Sequence, residues 1–429
     1  MIYRNWGFTS SPFQTTSLPP NHLGEKLLVG RNSELTALIN KIGSPPKLAT
    51  VEGLNGVGKT SVVNIACFRL FGEHISNGRG PLYVPCRKVF QLNPNQDVQA
   101  FIDSVLMEVA QTLIDKAKEI KCEIKSDNID RWLNFPQLKS YQGGVGFLLS
   151  VQGGVQTETN TSAGFERSGF RKNVFSWLEQ IFPTPESGGI ICTIDNLELL
   201  QSSDTARTLL EQLRDELFNV VGLRWVLCGA LGIVYGVVAS PRLEGYLHKP
   251  IEIKGIDRNH AQEILRTRIE SFAESAVPQY LPLLESDFAV LYDILRGNLR
   301  SVLSYADDYC QWVADREKPK SDVEKHDLFD RWLNEQAQTA YEAVRKELRP
   351  RAIVVFKKAI ETGGIFSPSD FEEYGFNSIA AFRPHIRDLE SVGLLVSTQD
   401  DGDKRRKTIQ ITPKGWMVNL NFTTNVSLN

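Results

Sequence analysis

The stretch Gly53 to Ser61 reads GLNGVGKTS and fits the pattern G-x-x-x-x-G-K-[ST]. Residue types at this spacing suit a nucleotide triphosphate. Gly53, Gly56 and Gly58 let the backbone turn so that the amides of Asn55, Gly56, Val57 and Gly58 face phosphate oxygens. Lys59 then reaches the β- and γ-phosphates, and Thr60, followed by Ser61, supplies a hydroxyl to Mg²⁺. A second chemical residue, Asp195, ends the apolar run Ile190 to Ile194. A carboxylate there is the expected partner of Thr60 on Mg²⁺, directly or through water.

Both sites need particular elements. The run KLATVEG before the glycine loop suits a buried parallel strand. After it, Val62, Val63, Ala66 and Leu70 recur at helical spacing, which predicts a helix ending near Gly72. Strand, glycine loop and helix is the order the chemistry requires. Asp195 at the carboxyl end of its own strand falls where open α/β sheets bind ligands.

Composition bounds the rest. The chain has 429 residues, enough for two or three domains, and a net charge of −3. Contact with nucleic acid therefore requires a local basic patch rather than the whole surface. No apolar run is long enough for a membrane span, and the N-terminus lacks the basic-then-apolar order of a secretory signal. Six scattered cysteines without a C-x-x-C pair read as buried thiols of a reducing compartment. A cytoplasmic protein is expected.

The glycine loop and the strand ending in Asp195 resemble the AAA+ and STAND branches of the P-loop ATPases, above all the origin-recognition and initiator-like group. Upstream, LLVGRNSEL resembles that group's first motif, which implies that Arg31 lies by the nucleotide. FTSSPF is similar to the N-terminal segment that lies over the base. Members of the family often carry Glu directly after the Asp; here Asn196 follows, and the nearest acid is Glu198. Either Glu198 polarises the attacking water or Asn196 orients it, and slow hydrolysis is implied. At the end of the next strand Cys228 and Gly229 stand where many members place a γ-phosphate sensor. Arg242 occupies the position of the arginine finger, which acts on a neighbouring subunit. From Asp257 the pattern turns helical and is similar to the family's lid, with RGNLRSVL matching its second sensor and Arg300 as the sensor arginine.

Two segments stand apart from that resemblance. Residues 121–170 read as an insertion, and Val145, Phe147, Leu149 and Val151 alternate as in a hairpin. It serves either as a loop touching DNA or a partner, or as an add-on to the sheet. The last segment, residues 346–429, reads as three helices and a hairpin, and the phrase LESVGLL…ITPKG resembles the winged helix-turn-helix family. Ser367, Pro368 and Asp370 predict a short helix, and TIQITPKGWMV predicts a returning strand. Phe382, Ile386 and Leu389 share a core-facing side of the third helix, whereas Arg383 and Arg387 share another, suited to DNA. Lys404, Arg405, Arg406 and Lys407 crowd the wing tip, suited to phosphates. Residues 345–429 hold thirteen Lys or Arg against ten Asp or Glu, a surplus of three in an otherwise acidic chain. Pro384 either kinks that helix or begins a shorter one.

The expected architecture is therefore α/β: a P-loop NTPase parallel sheet over residues 1–255, a helical lid over 256–312, a connecting helix over 313–345 and a C-terminal winged-helix domain over 346–429. The implied activity is that of an ATPase, with ATP and Mg²⁺ as cofactors. The expected partners are DNA and either further copies of the chain or another protein. Two functions compete: a DNA-binding switch of the initiator or loader type, and a STAND-like signalling ATPase whose winged helix makes protein contacts.

Overall fold

A computed structural model describes residues 2–93, 95–121, 169–200, 203–230, 234, 242–243, 245–275, 277–400 and 406–426. The alternating segment 145–151 and the wing residues Lys404 and Arg405 lie outside the described residues. Among those described, five parallel strands form one sheet in the order β2-β3-β4-β1-β5. They are β1 (Ala49–Gly53), β2 (Leu82–Phe90), β3 (Gly188–Ile194), β4 (Leu223–Gly229) and β5 (Ile251–Ile253). Every residue of β3 is buried, as expected of a strand covered on both faces.

The helices α1 (Ile2–Asn5), α2 (His22–Leu27), α3 (Asn32–Ile42), α4 (Lys59–Asn77), α5 (Val98–Lys116), α6 (Phe170–Ile181) and α7 (Ser203–Leu213) accompany this sheet. Two apolar cores cover its faces. One joins α3 and α4 to β1; the other joins α5, α6 and α7 to β2, β3 and β4. Helix α4 runs past the expected stop at Gly72 and ends on Gly78, whose φ of 62° gives a left-handed cap. Glycine inside a helix is tolerated at about 1 kcal/mol, and the apolar stripe of α4 supplies the packing that outweighs it.

The lid consists of α8 (Ala261–Phe272), α9 (Glu285–Ile294) and α10 (Leu299–Ala314). Helix α11 (Asp322–Arg345) follows, opened by a capping box between Ser321 and Glu324. The winged helix comprises α12 (Pro350–Glu361), β6 (Ile365–Phe366), α13 (Ile379–Ser391), β7 (Leu395–Asp400), β8 (Arg406–Ile411) and α14 (Pro413–Val426), with its antiparallel strands in the order β6-β8-β7. One continuous apolar cluster runs from Tyr3, Trp6 and Phe13 through the lid and α11 to Phe356, Phe382 and Trp416. The N-terminal segment, lid, connecting helix and winged helix thus share a core.

Of three local expectations, one is corrected and two are met. The short helix expected after Ser367 is present as a 3-10 helix, Pro368–Asp370, with Ser367 capping it and Pro368 at its first position. Strand β8 stops at Ile411. Beyond it Pro413 starts α14 at its first position, and the Thr412 hydroxyl accepts from the Gly415 amide. Pro384 sits inside α13, the first of its two expected places, and does not begin a shorter helix; Ser378 caps the start. The carbonyl left without a partner belongs to Ala380, an exposed residue that water can serve.

Candidate nucleotide site and winged-helix face

The glycine loop leaves β1 and enters α4 without a side-chain cap. Gly56 and Gly58 have φ of 83° and 99°, a region that favours glycine. Loop carbonyls are anchored on protein donors. Asn55 O accepts from Asn298 Nδ2 at 3.0 Å and Val57 O from Arg31 Nη2 at 2.8 Å. Across a planar trans peptide the next N–H points the opposite way, so the amides of Gly56 and Gly58 turn from those anchors. Lys59 is 7% exposed, and its Nζ donates to Gly53 O at 2.9 Å and to Leu54 O at 3.3 Å.

Thr60 Oγ1 donates to Asp195 Oδ2 at 2.6 Å, and Asp195 Oδ1 accepts from the Asn196 amide at 2.8 Å. Asp195 is 5% exposed. A hydroxyl and a carboxylate brought together at the mouth of the sheet are hard oxygen donors, and they fit Mg²⁺. Asn196 holds φ of 57° and lines the cleft. Glu198 lies in a 3-10 turn, Leu197–Leu200, and its Oε2 accepts from the Ala230 amide at 2.9 Å, which ties the ends of β3 and β4. Cys228 is fully buried, and its thiol is pushed well up by that burial and then by the Asp195 charge. It is therefore a neutral, weak donor.

Other residues singled out in the sequence fall in three places. Arg31 lies beneath the loop. The residue is 2% exposed, and its guanidinium donates to Glu34, Val57 O and Lys254 O, so it braces the loop. Ser61 Oγ accepts from the Leu18 amide at 3.1 Å. Arg300 lines the cleft from the first turn of α10. Arg242 stands apart, 65% exposed and 3.3 Å from Glu211. It is not among the residues that line the cleft.

Two contacts were not foreseen. Asn298, the N-cap of α10, touches the loop so closely that a Cβ on Gly56 would lie 2.6 Å from Asn298 Oδ1. Its neighbour Arg296, at φ of 52°, stacks on Trp416 of α14 with 4.7 Å to the ring centroid. A cavity of about 330 Å³ lies between loop, lid and wing, bounded by Asn55, Arg296, Ile365, Val396 and Trp416. The sequence signal for Asn298 is its cap position before an apolar helix; nothing local announces the Arg296–Trp416 pair.

On the winged helix, Phe382, Ile386 and Leu389 are buried, while Arg383 and Arg387 are exposed on the other side of α13. Arg349 at the start of α12 pairs with Asp388 at 2.6 Å. Along the hairpin, Arg406 is opposite Asp400 and Lys407 opposite Gln399. His385 is pushed down by burial and then by Arg349, so its imidazole is neutral near neutral pH. No helix of the described residues is long and apolar enough to cross a membrane.

No protein-family model matches this chain, and no curated protein does. Among solved structures the chain is similar to the Aeropyrum pernix ORC1 protein in complex with DNA, at 15% identity and a TM-score of 0.42, covering 94% of this chain and 98% of that one. It is similar to the Aeropyrum pernix ORC2 protein in its ADPNP-ADP complexes, at 11% identity and 0.47, covering 98% and 100%. It is also similar to CDC6P from Pyrobaculum aerophilum, at 14% and 0.41, covering 96% and 98%.

Proposed function

We propose that this chain is an ATP-binding, slowly hydrolysing switch of the AAA+ type that binds DNA through its C-terminal winged helix, in the manner of an initiator or loader. The observation that carries the reading is the Thr60–Asp195 contact at the foot of the glycine loop, with the lid's Asn298 and Arg300 against the same loop. Lys59 neutralises phosphate charge, and the loop amides bind phosphate oxygens. Mg²⁺ held at Thr60 and Asp195 would supply further charge neutralisation. Glu198, steadied by the Ala230 amide through one oxygen, polarises water with the other, Asn196 being the alternative residue to orient it. An amide in place of the usual carboxylate makes turnover slow, as a switch requires. Arg300 couples lid position to the γ-phosphate, and Arg242 acts on a neighbouring copy. Arg383 and Arg387 meet the DNA groove, and Lys404, Arg405, Arg406 and Lys407 meet phosphates.

A second reading, a STAND-like signalling ATPase, gains support from one observation. The β6-β8-β7 sheet faces the loop across the cavity, with half-exposed Ile365 and Val396 on its surface. The two readings part on salt. Wild-type protein with ATP should bind duplex DNA with an affinity that falls steeply as salt rises, and Lys59→Ala should abolish ATP binding while leaving the fold intact. Absence of DNA affinity at low salt would leave the signalling reading in place. Unchanged ATP affinity in Lys59→Ala would remove the nucleotide site itself.

A further inference from the structure

The cavity between glycine loop, lid and winged helix measures about 330 Å³. Proteins hold small molecules in spaces of roughly 300–1,000 Å³, commonly where domains meet. One wall is apolar: Leu54 of the loop, Leu295 of the lid, and Ile365, Val396, Ile411 and Trp416 of the winged helix. Trp416 is fixed in place. It is 7% exposed, and the Arg296 guanidinium stacks on its ring. The ring also lies so near Gly364 that a Cβ there would clash with it, and Gly364 holds φ of 85°, a conformation suited to glycine.

The polar groups of the cavity fall into two sets. The first is already engaged. Asn298 donates to Asn55 O and accepts from Ser301, and the Thr412 hydroxyl donates to the carbonyls of Gly393 and Leu394. The second set is Arg296, Arg300, Asn55 and Gln410, whose side chains make no hydrogen bond or ion pair with a described residue. None of the described residues that line the cavity is acidic. Two guanidinium groups thus border an apolar wall without a counter-charge. A guanidinium pairs best with a carboxylate or a phosphate, which it can hold through two parallel hydrogen bonds.

We propose that this cavity binds a small organic anion, with an apolar, ring-sized body against Trp416, Ile365 and Val396 and a carboxylate or phosphate head at Arg296 and Arg300. The ligand touches loop, lid and winged helix together. The site is separate from the cleft that Lys59 lines, although Arg300 borders both. It therefore stands or falls independently of the nucleotide reading.

Calorimetric titration of the full chain with 1-naphthyl phosphate, 1-naphthoate and uncharged 1-naphthol tests this. Wild-type protein should bind at least one of the two anions about 10-fold or more tighter than the naphthol, and the tighter anion identifies the head group. Arg296→Gln, at an exposed position, should reduce that preference to about 3-fold or less. Val396→Trp, at a half-exposed position on β7, fills the cavity and should weaken anion binding by about 10-fold or more. Lys59→Ala, which alters the nucleotide cleft alone, should leave anion binding within about 2-fold. Wild-type protein that binds neither anion, or binds the naphthol equally well, overturns the site. Anion binding that survives either Arg296→Gln or Val396→Trp unchanged also overturns it, and loss in Lys59→Ala would place the anion in the nucleotide cleft instead.

Discussion

One methyl group at Gly56 measures how firmly the lid rests on the glycine loop. At φ of 83° an alanine is strained by about 1–2 kcal/mol. The added Cβ would also lie 2.6 Å from Asn298 Oδ1, 3.2 Å from Nδ2 and 3.3 Å from Arg300 Cβ, so Asn298 must leave. Its departure breaks the bond to Asn55 O, a net loss of about 0.5–1.5 kcal/mol. It also disturbs the cap on the Ser301 amide, a further loss of about 1 kcal/mol. Gly58→Ala is the control. Its φ of 99° is at least as unfavourable, but no heavy atom lies within 4 Å of the new Cβ. Gly58→Ala should therefore show the backbone strain alone, and Gly56→Ala should be less stable than it by roughly 2 kcal/mol. Chemical denaturation of both variants reads the gap. In an Asn298→Ala background only the 3.3 Å approach to Arg300 Cβ remains, and the extra cost of Gly56→Ala over Gly58→Ala should shrink by most of that amount. Equal destabilisation by the two glycine variants, or no change of the Gly56 effect in that background, would refute a load-transmitting contact between loop and lid.

Other perturbations have outcomes as definite. Asp195→Asn should stop hydrolysis yet retain some nucleotide binding, because one ligand charge is lost. Glu198→Gln should keep its tie to the Ala230 amide through the amide oxygen and slow turnover by about 10-fold or more; turnover at the wild-type rate would pass the water to Asn196 or to a neighbouring copy. His326 on α11 is pushed up from 6.5 by its hydrogen bond with Asp287 and then by Asp330, while burial pushes the Asp287 carboxyl up. The proton on His326 thus adds stability that is fully present below the ordinary imidazole value and is lost as pH rises through the raised one. His248 and His385 are pushed down and act in the opposite direction. The useful quantity is accordingly the difference in melting temperature between wild type and His326→Gln, which should shrink from about pH 6 to about pH 8; a constant difference would show that the pair is not linked to protonation. Replacing Arg405 and Arg406 together with Ala should weaken DNA binding for all sequences and flatten its salt slope by up to about two charge units, with DNA-free ATP turnover unchanged.

The parts of the site that were legible are those where chemistry dictates residue type at short range. A turn that offers amides needs glycine at Gly56 and Gly58. A hydroxyl must follow Lys59, and a carboxylate must end a buried strand at Asp195. Each demand falls within a few residues, so a single sequence displays it. The winged helix was legible for a similar reason, since its apolar positions Phe382, Ile386 and Leu389 repeat along one helix face. Reading α14 as a strand came from following the alternation of Ile409 and Ile411 past Pro413, when Thr412 and Pro413 together are a helix start. For Pro384 the sequence left two places open, and the one inside α13 is tolerated because the carbonyl that loses its donor belongs to exposed Ala380. Arg268 gave a signal that local reading does not weigh, a lone charge on an apolar stripe. Its partners, Pro12 and Gln14, lie in a distant part of the chain, and no periodicity links them. The same holds for Asn298 on Asn55 and for Arg296 on Trp416. These contacts join modules, and any switch must work through such joints. Residues that perform chemistry are constrained by their neighbours in sequence, whereas residues that connect one module's position to another's are constrained only by the folded chain.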